Sequence, residues 1–569
     1  MNQRLIECVP NFSEGRNMHI IKQITDEIEK IEGVKLLNID PGAATNRTVV
    51  TFAGDPEKIL EAAFLAIKKA AEVIDMRHHH GEHPRMGATD VCPLVPVSGV
   101  TLEECAQYAR KLAERVGEEL KIPVYCYESA AYKPERKNLA NCRAGEYEGL
   151  SKKFSDPQWK PDFGPQTFDE QTARTGATAI GARDFLVAIN YNLNTTSVRR
   201  ANAIAYDVRE KGRKLREGNA ITGKVVKDKE GKDVWTPGTL KGCKAIGWYI
   251  EEYGIAQVSM NVTDINATPV HAAFEEVVSK AMARGIRVSG SEIVGLIPKR
   301  VLTEAGKFYL VRQQRSLGVP ERELIKIAVK SMGLDDLKPF NPREKVIEYL
   351  LEDGQPQEKK LVDLTATGFA SETASESPAP GGGSVSAYMG ALGAALGTMV
   401  ANLSSHKPGW DEKWEYFSGW AEKGQKIMNE MLFLVDEDTR SFNRILEAFS
   451  LPKGSELEKA ARSEAIQQAT LYATEIPLRT MKVAYSGLDL IEAMVREGNP
   501  NSVSDAGVGA LAIRSAVYGA YMNVRINSAD LKDRTKAEEM VSQAEQILSH
   551  TVAKEKEIID LVLKTIRKP

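Results

Sequence analysis

At 569 residues the chain is too long for a single hydrophobic core, and ordinary domain sizes call for several. A hydrophobic share of 42% and a charged share of 27% exclude a disordered or fibrous protein. The formal net charge of -3 supplies no general attraction for nucleic acid or an anionic membrane, so neither is expected as a partner.

The opening MNQRLIECVPNF has no apolar segment or small-residue cleavage site of a secretory signal. Cys8, Cys92, Cys105, Cys126, Cys142 and Cys243 form no close CxxC pairs, which suits reduced thiols and a cytoplasmic location better than a disulfide scaffold or zinc finger.

In chain order, RLIECV, VKLLNI and NRTVVTF read as strands, with helices expected near Asn17 to Ile31 and Pro56 to Ile74. Leu102 to Leu120 is a further amphipathic helix, and IPVYCY is of strand type. After the Pro-rich stretch SDPQWKPDFGPQTFDEQTARTGAT, alternation resumes with FLVAINYNL and a helix near Val198 to Glu210. CKAIGWYI and IAQVSMNV, a helix over His271 to Ala283 and GIRVSGSEIVGLIP complete a β-α-β-β-α-β order, which is ferredoxin-like. The first subdomain has a similar element order, without a clean sequence repeat.

From Glu321 the alternation gives way to Ala, Leu, Glu and Lys-rich segments of helical period. Helices are expected over Leu361 to Ser371, Ser384 to Leu403, Glu412 to Phe449, Glu456 to Thr474, Pro477 to Arg496, Ser504 to Ile526 and Thr535 to Ile566. The uncharged stretch Gly381 to Leu403 is too rich in Gly, Ala and Ser for a membrane span and reads as a tightly packed buried helix. The expected architecture is multidomain: two α/β (α+β sandwich) subdomains over 1–180 and 181–338, a linker over 339–360, and an all-α helical bundle over 361–569.

The segment RHHHGEHPRMGATDVCPLVPV concentrates four of the eight histidines beside Glu82, Arg85 and Asp90. An imidazole both takes up and releases a proton near neutral pH, so an acid/base histidine is one reading. A metal site using His78, His80 and His83 and a solvated polar loop are the others. The Gly and Pro flanks oppose the helical spacing that aligns two zinc-binding histidines. Asn11, Asp40, Asn46 and Arg47 lie at strand ends where Gly and Pro force turns. They form either a structural ion pair or a site in which Asp40 orients the histidine and Arg47 or Arg85 holds a carboxylate in a bidentate fork.

In the second half, SPAPGGGSVSAYMGALGAALGTMV joins a Gly-rich turn to a helix start, which is either a tight turn or an anion cradle. Gly393 and Gly397, four apart, permit close helix packing. Asp436 and Asp438 sit two apart on a helix, about 200° around its axis, so both cannot face one pocket and one is expected in solvent.

The strings LIECVPNFSEG, TNRTVVTF, GEHPRMGATDVCP, RAGEYEGL, WKPDFGP and GATAIGAR resemble those of glutamate formiminotransferases, in the family's order. The resemblance implies that His83 is the catalytic acid/base, acting on N5 of tetrahydrofolate as it attacks N-formimino-L-glutamate, with His78 to His80 as less restricted neighbours. Asp40, Asn11, Arg47 and Arg85 would support it. A folate-binding strip from Gly164 to Gly176 is also implied, with Asp162, Gly164, Pro165, Gln166, Thr167, Phe168 and Gly176 as contacts; within it DEQTART is a few residues longer than in animal members.

PGGGS, VDEDTRSF, SVSDAGVGALAI and VYGAYMNVRIN are similar to the cyclodeaminase domain that follows formiminotransferase in the fused enzymes. Carried over by position, Asp438 is the cyclodeaminase active-site residue and Asp436 its outward or supporting neighbour, with Ser504 and Asp505 supporting and Gly381, Gly382, Gly383 and Ser384 contacting folate. The resemblance further implies a polyglutamylated tetrahydrofolate co-substrate, no metal and a homo-oligomer. A methenyltetrahydrofolate cyclohydrolase-like helical half and a non-catalytic folate-binding scaffold are the alternatives.

Overall fold

The computed structural model describes residues 4–42, 46–81, 85–218, 223–352 and 360–566. It divides into two compact units, one of Met1–Ala305 with Val329–Pro356, the other of Gly306–Ala328 with Gln357–Pro569.

The first unit opens with β1 (Leu5–Cys8), β2 (Asn11–Phe12), α1 (Met18–Glu29), β3 (Val34–Gly42), β4 (Arg47–Gly54) and α2 (Pro56–Val73). It continues with β5 (Thr89–Ser98), α3 (Leu102–Glu119), β6 (Val124–Glu128), the short helices α4 (Leu139–Arg143), α5 (Leu150–Ser155) and α6 (Glu170–Thr175), and β7 (Thr178–Ala182). Local chemistry sets the helix starts. Asn17 caps α1, Asp55 precedes Pro56 at the head of α2, and Thr101 with Glu104 forms a capping box on α3. Along α2, Ile59, Ala62, Ala63, Ala66, Ile67 and Ala70 are buried at helical spacing. They pack with Ile6, Cys8, Phe52, Cys92 and Leu94 from the sheet into one core.

β1 and β2 both lie between β4 and β5, so they act as one strand interrupted at Val9 and Pro10. The sheet runs β3, β4, β1 with β2, β5, β7, β6; β5, β7 and β6 are mutually parallel and the remaining neighbours antiparallel. β5 is central, although Pro93 and Pro96 within it argue locally against a strand. The carbonyl of Pro93 still accepts from Val9 N at 3.2 Å, so the missing donor does not break the pairing.

The rest of this unit comprises β8 (Val187–Leu193), α7 (Val198–Val208), a small hairpin of β9 (Arg213–Lys214) and β10 (Trp235–Thr236), β11 (Cys243–Ile250), β12 (Ile255–Val262), α8 (Val270–Met282) and β13 (Val288–Val294). Its sheet order is β11, β12, β8, β13, all antiparallel. That path matches β3, β4, β1 with β2, β5, with a helix after the first and third strands in each case. Two stretches of unlike sequence follow one topology.

The chain then forms α9 (Lys299–Arg312), α10 (Glu321–Met332), α11 (Pro342–Lys345) and α12 (Ile347–Glu352). The stretch expected as a linker therefore carries two short helices, because Val346 and Ile347 are fully buried and hold it down; residues 353–359 lie outside the described residues.

The second unit's remaining helices are α13 (Ala366–Thr373), α14 (Gly382–Ser405), α15 (Trp414–Ser450), α16 (Glu456–Glu497), α17 (Val503–Ala529) and α18 (Arg534–Ile566). α14 is long and apolar enough to cross a membrane, yet 61% of its most apolar window is buried among its neighbours. Its small residues make that packing close: a Cβ on Gly393 would meet Ile513 at 2.7 Å, and one on Gly397 would meet Leu490 at 2.8 Å. The break expected between Thr474 and Pro477 is absent, since α16 continues through the proline. Tertiary contacts outweigh the lost helical hydrogen bond: Ile476 and Leu478 are buried in the core, and the carbonyl freed at Ala473 accepts from Asn527 Nδ2 at 2.7 Å.

Candidate active sites

In the first unit, three strings far apart in sequence meet. The segment after GEHPR bridges the end of the Gly164 to Gly176 strip, with Ala88 N donating to Thr175 O at 2.7 Å and Ala177 N to Met86 O at 2.8 Å. Gly176 adopts φ 68° against Met86, a conformation and a proximity that exclude a side chain. RAGEYEGL closes the group: Tyr147 N donates to Arg85 O at 2.9 Å and the Tyr147 hydroxyl to Ala173 O at 2.5 Å. His83 itself lies outside the described residues.

Arg85 is 8% exposed, and its fork is already filled by Glu148, at 2.8 and 2.7 Å. It is therefore not the open carboxylate clamp that the sequence suggested. Its Nε donates to His79 Nδ1 at 3.3 Å, while His79 Nε2 donates to the Asn46 carbonyl at 2.8 Å. Those two contacts specify a neutral imidazole, and burial followed by the neighbouring Arg85 charge lowers its pKa below the usual histidine value. His79 is thus a locked structural group rather than a loosely restricted neighbour. Asn46, at φ 48°, ties the loops by accepting from Gly15 N and donating to His80 O, both at 3.0 Å.

Asn11 accepts from Arg47 and lines a cavity of about 860 Å³. The same cavity is lined by Tyr127, Glu128, Arg143, Arg183 and Lys244, so it draws on both sheets. Arg143 also bridges the fully buried Asp90. Sequence reading did not single out Arg143, Arg183 or Lys244, although Arg143 opens RAGEYEGL and Arg183 ends GATAIGAR. Asp40 is exposed on β3 and, among the described residues, bonds to no histidine.

Within the strip, Asp162 is spent on structure: it receives Cys126 N at 2.8 Å and pairs with the fully buried Arg136 at 2.5 Å. That corrects its assignment as a folate contact. Gly164, at φ 81°, packs on Ile122, and Phe168 lies against Tyr147 and Phe154. Pro165 is half-buried, Gln166 and Thr167 are exposed, and DEQTART forms α6, capped by Asp169.

In the second unit the head of α14 holds an anion, and that anion is Asp438 of α15. Ser384 Oγ donates to Asp438 Oδ2 at 3.0 Å, and Thr439 Oγ1 lies 3.3 Å from the same hydroxyl. Burial raises the Asp438 pKa above the ordinary carboxyl value, against the hydroxyl and amide of Ser384. Ser384 is fully buried and so is a partner of the carboxylate rather than a folate contact. Gly381, Gly382, Gly383, Phe442, Asn523 and Asn527 line the adjoining cavity of about 140 Å³.

Of the two places the resemblance allowed Asp436, outward or supporting, the outward one does not hold. Asp436 is 8% exposed, on a different side of α15 from Asp438, and accepts from Leu361 N at 2.6 Å. Residues two apart do point to different places, but both directions are covered. Ser504 and Asp505 stand in the first turn of α17, roughly 27 Å along the helix from Asn523 at 1.5 Å per residue, so within this chain they do not join Asp438. Asn523 and Asn527 were missed, although VYGAYMNVRIN contains both.

Comparison with known proteins gives matches along both halves of the chain. The family model described as "Formiminotransferase domain, N-terminal subdomain" matches residues 5–183, "Formiminotransferase domain" matches 188–352, and "Formiminotransferase-cyclodeaminase" matches 365–546. Formimidoyltransferase-cyclodeaminase of Gallus gallus is 42% identical over 99% of this chain and 99% of its own length. Glutamate formimidoyltransferase of Streptococcus pyogenes serotype M1 is 41% identical over 54% of this chain and 93% of its own. Methenyltetrahydrofolate cyclohydrolase of Methylorubrum extorquens is 36% identical over 34% of this chain and 93% of its own. Matched from end to end by relatives that carry both halves, the chain belongs to the formimidoyltransferase-cyclodeaminase family.

Proposed function

We propose that this enzyme transfers the formimino group from N-formimino-L-glutamate to tetrahydrofolate, then closes 5-formiminotetrahydrofolate to 5,10-methenyltetrahydrofolate with release of ammonia. The two halves of the assignment rest on different residues. His83 manages the N5 proton during transfer, while Arg143, Arg183 and Lys244 in the large cavity suit the carboxylates of the glutamate donor and the folate tail. Arg47 and Asn11 support that centre, while Asp40 and Gln166 to Gly176 are assigned to it by the family resemblance alone. Acid/base catalysis by one imidazole supplies about 10²- to 10⁴-fold, so positioning in the cavity contributes much of the rest.

Asp438 moves the N10 proton towards the departing amine. The observation that carries this role is its partly desolvated carboxyl, held at the head of α14 beside a cavity. The cyclohydrolase alternative is favoured only by a partial match, whereas the fused enzymes match throughout. A coupled assay with formiminoglutamate and tetrahydrofolate tests the whole sequence. Consumption of formiminotetrahydrofolate without ammonia would favour the cyclohydrolase. His83→Ala should abolish transfer alone and Asp438→Ala cyclodeamination alone; loss of both activities in either variant would indicate misfolding or a shared site, and absence of both from the unaltered protein would favour the scaffold.

The finer architecture belongs to the same reading: subdomains 1–180 and 181–338 of ferredoxin-like order, a connection over 339–360 and a bundle over 361–569. The shared strand path of the two sheets supports it. A polyglutamylated folate suits Arg143, Arg183 and Lys244 of the cavity wall, which also carries Glu128, Glu146, Asp184 and Asp264, and a cytoplasmic location suits six free, buried cysteines. Association of copies is supported by exposed Val508, Leu511, Met522 and Ile526 on α17 and Leu392, Met399 and Leu403 on α14, two packed helices with apolar outer stripes.

A further inference from the structure

Pro477 lies in the interior of α16, where its missing N–H leaves the Ala473 carbonyl, one turn earlier, without a helical donor. The donor comes instead from α17, where Asn527 Nδ2 reaches Ala473 O at 2.7 Å. One turn back on the same face, Asn523 Nδ2 donates to Gly519 O at 2.8 Å. Neither amide is free to turn over, because reversal would set an amide oxygen against a carbonyl oxygen. Ala473, Asn523 and Asn527 line the cavity that Asp438 adjoins, together with Gly381, Gly382 and Phe442. With both nitrogens spent on carbonyls, each amide has its oxygen left, an acceptor with no protein partner among the described residues.

Resting on the reading of Asp438 as the proton carrier, we infer that Asn527, held in orientation by Pro477, binds the nitrogen that leaves as ammonia. The protonated formimino group is an amidinium whose terminal nitrogen has two N–H donors and no acceptor. N10 bonds to the formimino carbon, and the N10 proton passes through Asp438 to that terminal nitrogen. The bond from carbon to the terminal nitrogen then breaks, giving the methenyl cation and ammonia, so atoms and charge balance without a further reactant. The lone pair of the departing nitrogen takes up the proton from Asp438 once, in the tetrahedral intermediate; before and after that, as amidinium and as ammonium, this nitrogen only donates. Oδ1 of Asn527, seconded by Oδ1 of Asn523, is the matching acceptor opposite the carboxylate. Pro477 is accordingly a positioning residue: a residue with an N–H at this place would satisfy Ala473 O from within the helix and release the amide.

The test exploits that coupling. Pro477→Ala restores the helical hydrogen bond, so the thermal midpoint should rise while kcat for ammonia release falls and KM changes less. Pro477→Ala combined with Asn527→Ala keeps Ala473 O satisfied and removes the acceptor; about a 10- to 100-fold loss of that kcat is expected, with transferase activity unchanged. Unaltered ammonia kcat in the double variant overturns the role of Asn527, and unaltered kcat in Pro477→Ala overturns its positioning by Pro477. Should the double variant not fold, the stabilised Pro477→Ala protein decides alone. Asp438→Asn, measured alongside, separates the two readings: full activity there removes the basis of the site, whereas loss there with none in the double variant removes only the assignment of Asn527.

Discussion

Gly383 and Asp438 pack so closely that a Cβ on the glycine would lie 2.6 Å from Asp438 Oδ2. At an ordinary helical position, replacing glycine by alanine stabilises by about 1 kcal/mol. Here the methyl group would displace the carboxylate from Ser384. Gly383→Ala should therefore lower ammonia release by about 100-fold, the usual effect of a misplacement near 1 Å, while leaving transfer intact. Parallel assays of the two half-reactions check it.

Asp438→Asn should stabilise the protein as it inactivates it. The folded carboxyl has a pKa above 3.8, so the folded state holds its proton to higher pH than the unfolded state, and stability falls as pH rises through that interval. The amide removes the burden. Denaturant titrations should show the variant more stable at pH 7, with the gain vanishing below pH 4; equal stability at both would refute the assignment of a raised pKa.

Glu7 offers a larger effect of the same sign. It is 5% exposed on β1, and burial, opposed by Arg183, raises its pKa from 4.5 to about 7. Stability should decline between pH 4.5 and 7 by up to about 3 kcal/mol from this group. Glu7→Gln should flatten the decline, as followed by the urea midpoint across that range.

Arg85→Lys tests the mooring of the GEHPR segment. Lysine keeps the charge but loses the planar fork on Glu148 and the contact to His79. Since Glu148 is 63% exposed, the change in stability should stay below about 1 kcal/mol. Transferase kcat should nevertheless fall about tenfold, with ammonia release unaffected.

Much of the fold was legible because it is written in local patterns. Alternation identified β1, β3, β4 and the four strands of the second sheet, and period 3.6 identified the long helices of the second unit. β5 was hidden by Pro93 and Pro96, whose conflict with a strand disappears once neighbouring strands use the remaining carbonyls. The motif strings located the candidate sites, but not the duties of single residues within them. Asp162 and Arg85 look like ligands from their type and are bound to Arg136 and Glu148 instead.

The amino-acid order alone thus determined most of the strands and helices, β5 and the course of α16 excepted, and the family, since these depend on neighbours within a few residues and on strings that survive side by side. Tertiary structure decided the rest: that Asp438 rather than Asp436 meets the head of α14, that α16 runs through Pro477, and that Asn527 faces the freed carbonyl. Each of these turns on a hydrogen-bond partner more than fifty residues distant. No local periodicity carries the position of such a partner, because it is set only when the helices pack.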